Sequence, residues 1–115
     1  MEKEKMIALA QGQLEAYNRG DIDLFCSFYH PDVTAYSLGT NEPFCKGMNE
    51  FRPIYNKRFQ ENPKLHCELK SRIVTNNSVL DEEWVTGVSN NPNGSHVVAI
   101  YQFKDDLIYN IWFAR

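Results

Sequence analysis

The hydrophobic period of this 115-residue chain changes once, close to Pro63. Upstream of that point apolar residues recur at three- and four-residue steps, and downstream they alternate. A chain with this switch has to pack helices against a sheet, which makes its class α+β. Met6, Ile7, Ala10, Leu14 and Tyr17 form the stripe of a helix predicted from about Glu2 to Arg19, and Gly20 ends it. Asp21 offers an N-cap to a second, short helix carrying Ile22, Phe25, Phe28 and Tyr29, which Pro31 closes. Asp32 to Leu38 reads as a strand. After a loop containing Gly39, Pro43 and Gly47, a third helix near Asn49 to Gln60 turns Phe51, Ile54, Tyr55 and Phe59 inward. Pro53 falls in its first turn or just beyond, where a missing amide costs least.

The alternating half reads as two hairpins. Leu65–Thr75 returns as Ser78–Gly87 around Asn76-Asn77, and Ser95–Lys104 returns as Leu107–Arg115 around Asp105-Asp106. A two-residue turn in the first hairpin pairs Lys70 with Glu83 and Arg72 with Asp81, so opposite charges meet twice. The other face then carries Leu65, Cys67, Leu69, Ser71 and Ile73 with Leu80, Glu82, Trp84 and Thr86, and is expected to look inward. On the next strand Val97, Ala99, Tyr101 and Phe103 point in while Val98, Ile100 and Gln102 point out. An outward row with apolar members predicts a homodimer through the outer face of the sheet.

A chain of this length holds one core, so residues 1–115 are read as a single domain. Its charge of −3 with scattered basic residues excludes a nucleic-acid footprint. No apolar run is long enough for a membrane span, and Met1-Glu2-Lys3-Glu4-Lys5 lacks a signal-peptide core, so a cytoplasmic location is expected. Cys26, Cys45 and Cys67 are odd in number and lack metal spacing, hence free thiols. His66 and Glu68 share a strand face without a third ligand. No glycine-rich phosphate loop, nucleophile elbow or zinc spacing occurs, so neither a metal nor a cofactor is expected.

Ala16-Tyr17-Asn18-Arg19-Gly20-Asp21-Ile22-Asp23, then Phe28-Tyr29-His30-Pro31-Asp32-Val33, Gly47 before the third helix, and Leu107-Ile108-Tyr109-Asn110-Ile111-Trp112-Phe113 carry a resemblance. Over nearly its whole length the chain resembles the superfamily of nuclear transport factor two, ketosteroid isomerase, limonene epoxide hydrolase and the SnoaL-like cyclases. The resemblance implies a cone-shaped, strongly curved antiparallel sheet wrapped around the N-terminal helices, with a pocket inside. It also implies correspondences that this chain does not honour. The general-base aspartate of ketosteroid isomerases corresponds to Ser37, the oxyanion tyrosine to Gln13 and the oxyanion aspartate to Tyr101. A serine cannot serve unaided as base for a carbon acid. The epoxide hydrolase triad would need acids near Thr86 and Phe113 and an arginine near Trp84, and has none.

The expected base is therefore Glu82, an acid among Leu69, Ile73, Leu80 and Trp84 on the inward face. Tyr101, Ser37 or Gln13 would polarise the substrate, inside walls built from Tyr17, Ala35, Ile54, Tyr55, Trp84 and Phe113. Aromatics at 13% supply walls for such a cavity, and the resemblance implies a small apolar or aromatic ligand bearing a carbonyl. The chemistry expected is cofactor-free isomerisation, cyclisation or hydrolysis. The alternative is a non-catalytic domain that binds a ligand or a protein in the same fold.

Overall fold

Gly20 sets the geometry of the N-terminal half. In the computed structural model, which describes Met1–Arg115, it adopts φ 65° after α1 (Lys3–Arg19). Its N–H donates to the Tyr17 carbonyl and that of Asp21 to Ala16, closing the helix C-terminus. The chain turns at once into α2 (Ile22–Ser27), where Asp21 Oδ1 accepts from the Leu24 amide at 3.1 Å. This helix is shorter than its sequence suggests. Tyr29 already belongs to β1 (Tyr29–Ser37), and Pro31 sits inside the strand. Proline has no amide to give a ladder, and the pairing of β1 is broken between Tyr29 and Thr34.

A two-residue strand absent from the sequence reading, β2 (Cys45–Lys46), precedes α3 (Met48–Glu61). Then come β3 (His66–Val74), β4 (Ser78–Thr86), β5 (Ser95–Lys104) and β6 (Leu107–Ala114). Together they form one sheet in the order β2-β1-β6-β5-β4-β3. The expectation of an antiparallel sheet holds except at one junction, where β1 and β6 run parallel. The helices cover one face. Phe25 and Phe51 are fully buried there with Met6, Val33, Ile108 and Ile111, and Leu14 packs separately with Leu65, Cys67, Val85 and Val97. No helix is long and apolar enough to cross a membrane.

Two turns differ from each other. Asp105 and Asp106 both take positive φ (53° and 62°), as a tight two-residue hairpin turn requires. Asn76 and Asn77 do not; there the Thr75 hydroxyl accepts from the Ser78 amide at 3.1 Å and organises the tip.

The first hairpin corrects the sequence reading most. Arg72 does face Asp81, and Ser71 faces Glu82, as expected. Below them the ladder shifts by one residue between Leu69 and Ser71, so Glu83 lies opposite Leu69 rather than Lys70. Lys70 is the bulged residue, and its ammonium binds Glu68 at 3.1 Å. The bulge changes which residues of β3 face inward: Cys67 on one side of it, Arg72 on the other. Strand β4 has no such break, and Val79, Asp81, Glu83 and Val85 form its buried face. Leu80, Glu82 and Trp84 therefore point outward, and Ile73 is 59% exposed. The assumption that charged pairs stay outside fails because Asp81 and Arg72 satisfy each other in the interior. Nε and Nη2 of Arg72 donate to the two Asp81 oxygens at 2.7 and 3.0 Å, and Nη1 donates to Gln11. On β5 the predicted alternation of Val97, Ala99 and Tyr101 against Val98, Ile100 and Gln102 is present.

Candidate functional site

Between α1, α3 and the sheet lies a cavity of about 310 Å³, at the small end of ligand pockets. The inward stripe of α1 supplies Gln13, Leu14 and Tyr17, and α3 supplies Ile54, Tyr55 and Arg58. From the sheet come Tyr29, Cys67, Glu83, Val85, Val97, Tyr101 and Phe113. The segment joining β4 to β5 closes one side through Val88, Asn90 and Asn91. That segment is tied down: Asn62 Oδ1 accepts from the Ser89 amide at 2.8 Å, and Asn91 Nδ2 donates to Ser95 Oγ at 2.8 Å.

The floor is polar and ordered. Tyr29 donates its hydroxyl to Gln13 Oε1 at 2.8 Å, and Gln13 Nε2 donates to the Tyr101 oxygen at 3.1 Å and to the Ala10 carbonyl at 3.0 Å. Because the Tyr101 oxygen accepts in this chain, its own proton remains to be donated into the cavity. A donor at the end of such a chain is polarised by the bonds behind it. Burial, reinforced by Glu83, pushes both Tyr29 and Tyr101 well above the usual range, so both keep their protons.

Glu83 is the unusual group. It is only 6% exposed and lines the cavity, and the one protein group hydrogen-bonded to its carboxyl is the Cys67 thiol. A single thiol leaves most of the carboxyl's lone pairs without a protein partner, on a residue that belongs to the cavity lining. Burial raises its pKa from 4.5 to about 7, Asp81 adds to the rise, and Cys67 and Arg72 oppose it. The neighbouring Cys67 is pushed up by burial and by Glu83 and stays a thiol. On the α3 side Arg58 Nε donates to the Tyr17 hydroxyl at 2.8 Å. A carboxyl poised near neutrality across from a committed hydroxyl donor can exchange a proton with a bound molecule while its oxygen is held.

Six of the residues expected from the sequence meet in this cavity: Gln13, Tyr17, Ile54, Tyr55, Tyr101 and Phe113. Four do not line it. Glu82 lies on the outer face, where Ser71 Oγ donates to it at 2.8 Å and His96 Nε2 sits 2.7 Å away. Those two hydrogen bonds lower its pKa, the opposite of what a desolvated base needs. Trp84 shares that outer face, its ring over Gly94 and beside His96. Ala35 points inward but is fully buried in the core. Ser37 ends β1 opposite Phe113, its carbonyl taking the Thr40 amide and hydroxyl. The residues missed are Glu83, Tyr29 and Arg58. Asp81-Glu82-Glu83 held the signal, since three acids in a row on a strand must send at least one inward.

Comparison with known proteins agrees with this architecture. No curated protein sequence matches the chain. A cystatin-fold protein from Novosphingobium aromaticivorans is similar in structure, with a TM-score of 0.85 and 25% identity over 95% of this chain and 97% of that one. A candidate ketosteroid isomerase from Kribbella flavida matches at a TM-score of 0.80 and 17% identity, over 97% and 78% of the two chains. A candidate SnoaL-like polyketide cyclase from Jannaschia matches at 0.77 and 13%, over 96% and 85%. These identities speak for the fold. The family model of the SnoaL-like domain matches residues 10–111, nearly the whole of the helical and sheet framework that builds the cavity. The chain belongs to the SnoaL-like domain family.

Proposed function

We propose that the cavity performs general acid–base chemistry on a small, largely apolar molecule bearing a carbonyl, with Glu83 as the base and Tyr101 as the donor to the carbonyl oxygen. Ionised Glu83 takes a proton from the carbon beside the carbonyl. The C–H electron pair becomes the enolate double bond, and the charge that develops on oxygen is met by the Tyr101 hydroxyl. The protonated Glu83 then returns its proton to the same or a conjugated carbon, which completes an exchange or an isomerisation. Every proton is accounted for by the two side chains and the substrate.

One observation carries this reading: a buried carboxyl in the cavity wall, raised to about 7 and with only the neutral Cys67 thiol hydrogen-bonded to it. A cavity used only for binding is served as well by apolar walls. A desolvated acid with no cationic group hydrogen-bonded to it opposes folding and is characteristic of sites that do chemistry. The ketosteroid isomerase and polyketide cyclase names among the structural neighbours lie in the same direction.

The test is exchange of the α-protons of 2-tetralone for deuterium, followed by NMR in D2O. The protein should accelerate exchange with a rate that rises through an apparent pKa near 7. Glu83→Gln should abolish the acceleration, and Tyr101→Phe should reduce it on the order of 10²-fold. Glu82→Gln should leave it unchanged. Full acceleration in the Glu83→Gln variant would remove Glu83 from the mechanism. The same reading takes the working unit to be a homodimer joined through the outer sheet face.

A further inference from the structure

The charges around the cavity are sorted by exposure. Glu83 and the Tyr29–Gln13–Tyr101 chain occupy its buried end. Two guanidinium groups, partly exposed Arg58 and exposed Arg115, line its open end. Arg52 and Arg72 each bind a carboxylate, Asp23 and Asp81 respectively. Arg58 and Arg115 bind none, although the chain carries an excess of acids. Arg58 spends its Nε on the Tyr17 hydroxyl, which holds the group in place and leaves both Nη atoms free. The Arg115 guanidinium lies 5.2 Å from the centre of the Phe113 ring, another wall of the same cavity. The positive field of both reaches Tyr55, whose hydroxyl each pulls downward against its burial. Glu83 is governed by burial, then by Asp81, Cys67 and Arg72, with neither Arg58 nor Arg115 acting on it, and by exposure the cavity has an acidic inner end and a basic outer one.

The geometry points to a ligand that is an organic carboxylate, its anionic group held at the mouth by Arg58 and Arg115 and its apolar body directed down toward Tyr101 and Glu83. Arginine forks match a carboxylate with two parallel hydrogen bonds, and a low-dielectric wall strengthens them. The aromatic walls between the two ends, Tyr17, Tyr55 and Phe113, suit an apolar spacer. This deepens the acid–base reading and rests on it only for what happens at the buried end. A keto acid of this shape would place its carbonyl at Tyr101 while its carboxylate stayed outside the reacting region.

The experiment is calorimetric titration at pH 6 and low salt with two matched probes, 4-phenylbutanoate and 4-phenylbutanamide. At this pH Glu83 is largely protonated and does not repel the acid. The acid should bind at least about ten-fold more tightly than the amide, and its advantage should shrink with added sodium chloride. Arg115→Gln should weaken the acid several-fold and leave the amide unchanged. The double variant with Arg58→Gln should equalise the two. Arg115 is exposed, so its variant remains informative if loss of the Arg58–Tyr17 contact impairs folding. Equal binding of acid and amide, binding of neither, or a preference that persists in the folded double variant overturns the inference. Glu83→Gln separates it from the catalytic reading. A variant that has lost proton exchange but keeps the acid preference supports both ideas. Lost exchange with no acid preference in the parent protein removes only the carboxylate ligand, and intact exchange with an intact preference removes only the base.

Discussion

Glu83 makes the fold less stable as the solution becomes less acidic. Its pKa rises from an ordinary 4.5 to about 7 on folding, because burial disfavours the charged form. For a raised acid the favourable contribution is complete below the unfolded value, and it is lost as pH climbs through the folded one. Stability should therefore decline between about pH 4.5 and 7 by up to roughly 3 kcal/mol from this residue. Glu83→Gln keeps the shape and removes the titration. Denaturation with urea should show the variant more stable than the parent at pH 8, with the difference closing by pH 5. A parent and variant with parallel pH profiles would mean that Glu83 is solvated or paired. Glu82, one residue away, should behave in the opposite sense and weakly, since its partners Ser71 and His96 favour its charged form. Which of the two neighbouring acids faced the cavity was not legible, because both faces of the strand carry apolar residues, Val79 and Val85 with Glu83, Leu80 and Trp84 with Glu82.

At the scale of elements, the deciding feature is the bulge at Lys70. The sequence places the tip of the β3–β4 hairpin correctly, through Arg72 and Asp81, because opposite charges on adjacent strands constrain register. Lys70 carries no such signal. It is not a glycine, and a lysine sits as readily in a regular ladder as in a bulge, so the inversion of faces behind it could not be read. The cavity's rim depends on a neighbouring close approach. Gly87 follows β4 with φ 81°, and a Cβ there would overlap the carbonyl of Lys64. Gly87→Ala should destabilise the protein by about 3 kcal/mol or more, adding a steric clash to an unfavourable φ. Thermal unfolding measures it. A melting temperature unchanged within a degree would show that the backbone at 64 and 87 separates freely.

For the whole molecule, the outer face of the sheet bears on assembly. Its register aligns Ile73, Leu80, Ile100, Trp112 and Tyr36 in one transverse row across five strands. Trp112 and Tyr36 stack with centroids 5.3 Å apart. A continuous apolar row on an uncovered sheet predicts association, so sedimentation at micromolar concentration should give twice the 13.4 kDa chain mass. Ile100→Lys should release monomers without unfolding them, whereas a monomeric parent protein would remove the dimer. The overall plan was readable at this scale because one change of hydrophobic period separated helices from strands and the turn residues bounded them. The parallel junction of β1 with β6 was not, since pairing across some 75 residues leaves no local mark.

That junction has a consequence for how the protein is made. Strand β1 is synthesised before the other strands of the sheet, yet apart from two residues of β2 its only sheet partner is β6, the last of them. Ile108 and Ile111, which complete the main core, arrive with that strand. Until it leaves the ribosome, Phe25, Tyr29 and Phe51 have, beyond β1 and β2 themselves, only the β4–β5 part of their sheet surface, Val79, Ala99 and Tyr101, to pack against. Closing the core must wait for β6 to return to β1, and a domain still lacking that strand exposes adhesive surface. The late strand acts as a clasp, so the fold closes only when the domain's last-made element returns to its first strand.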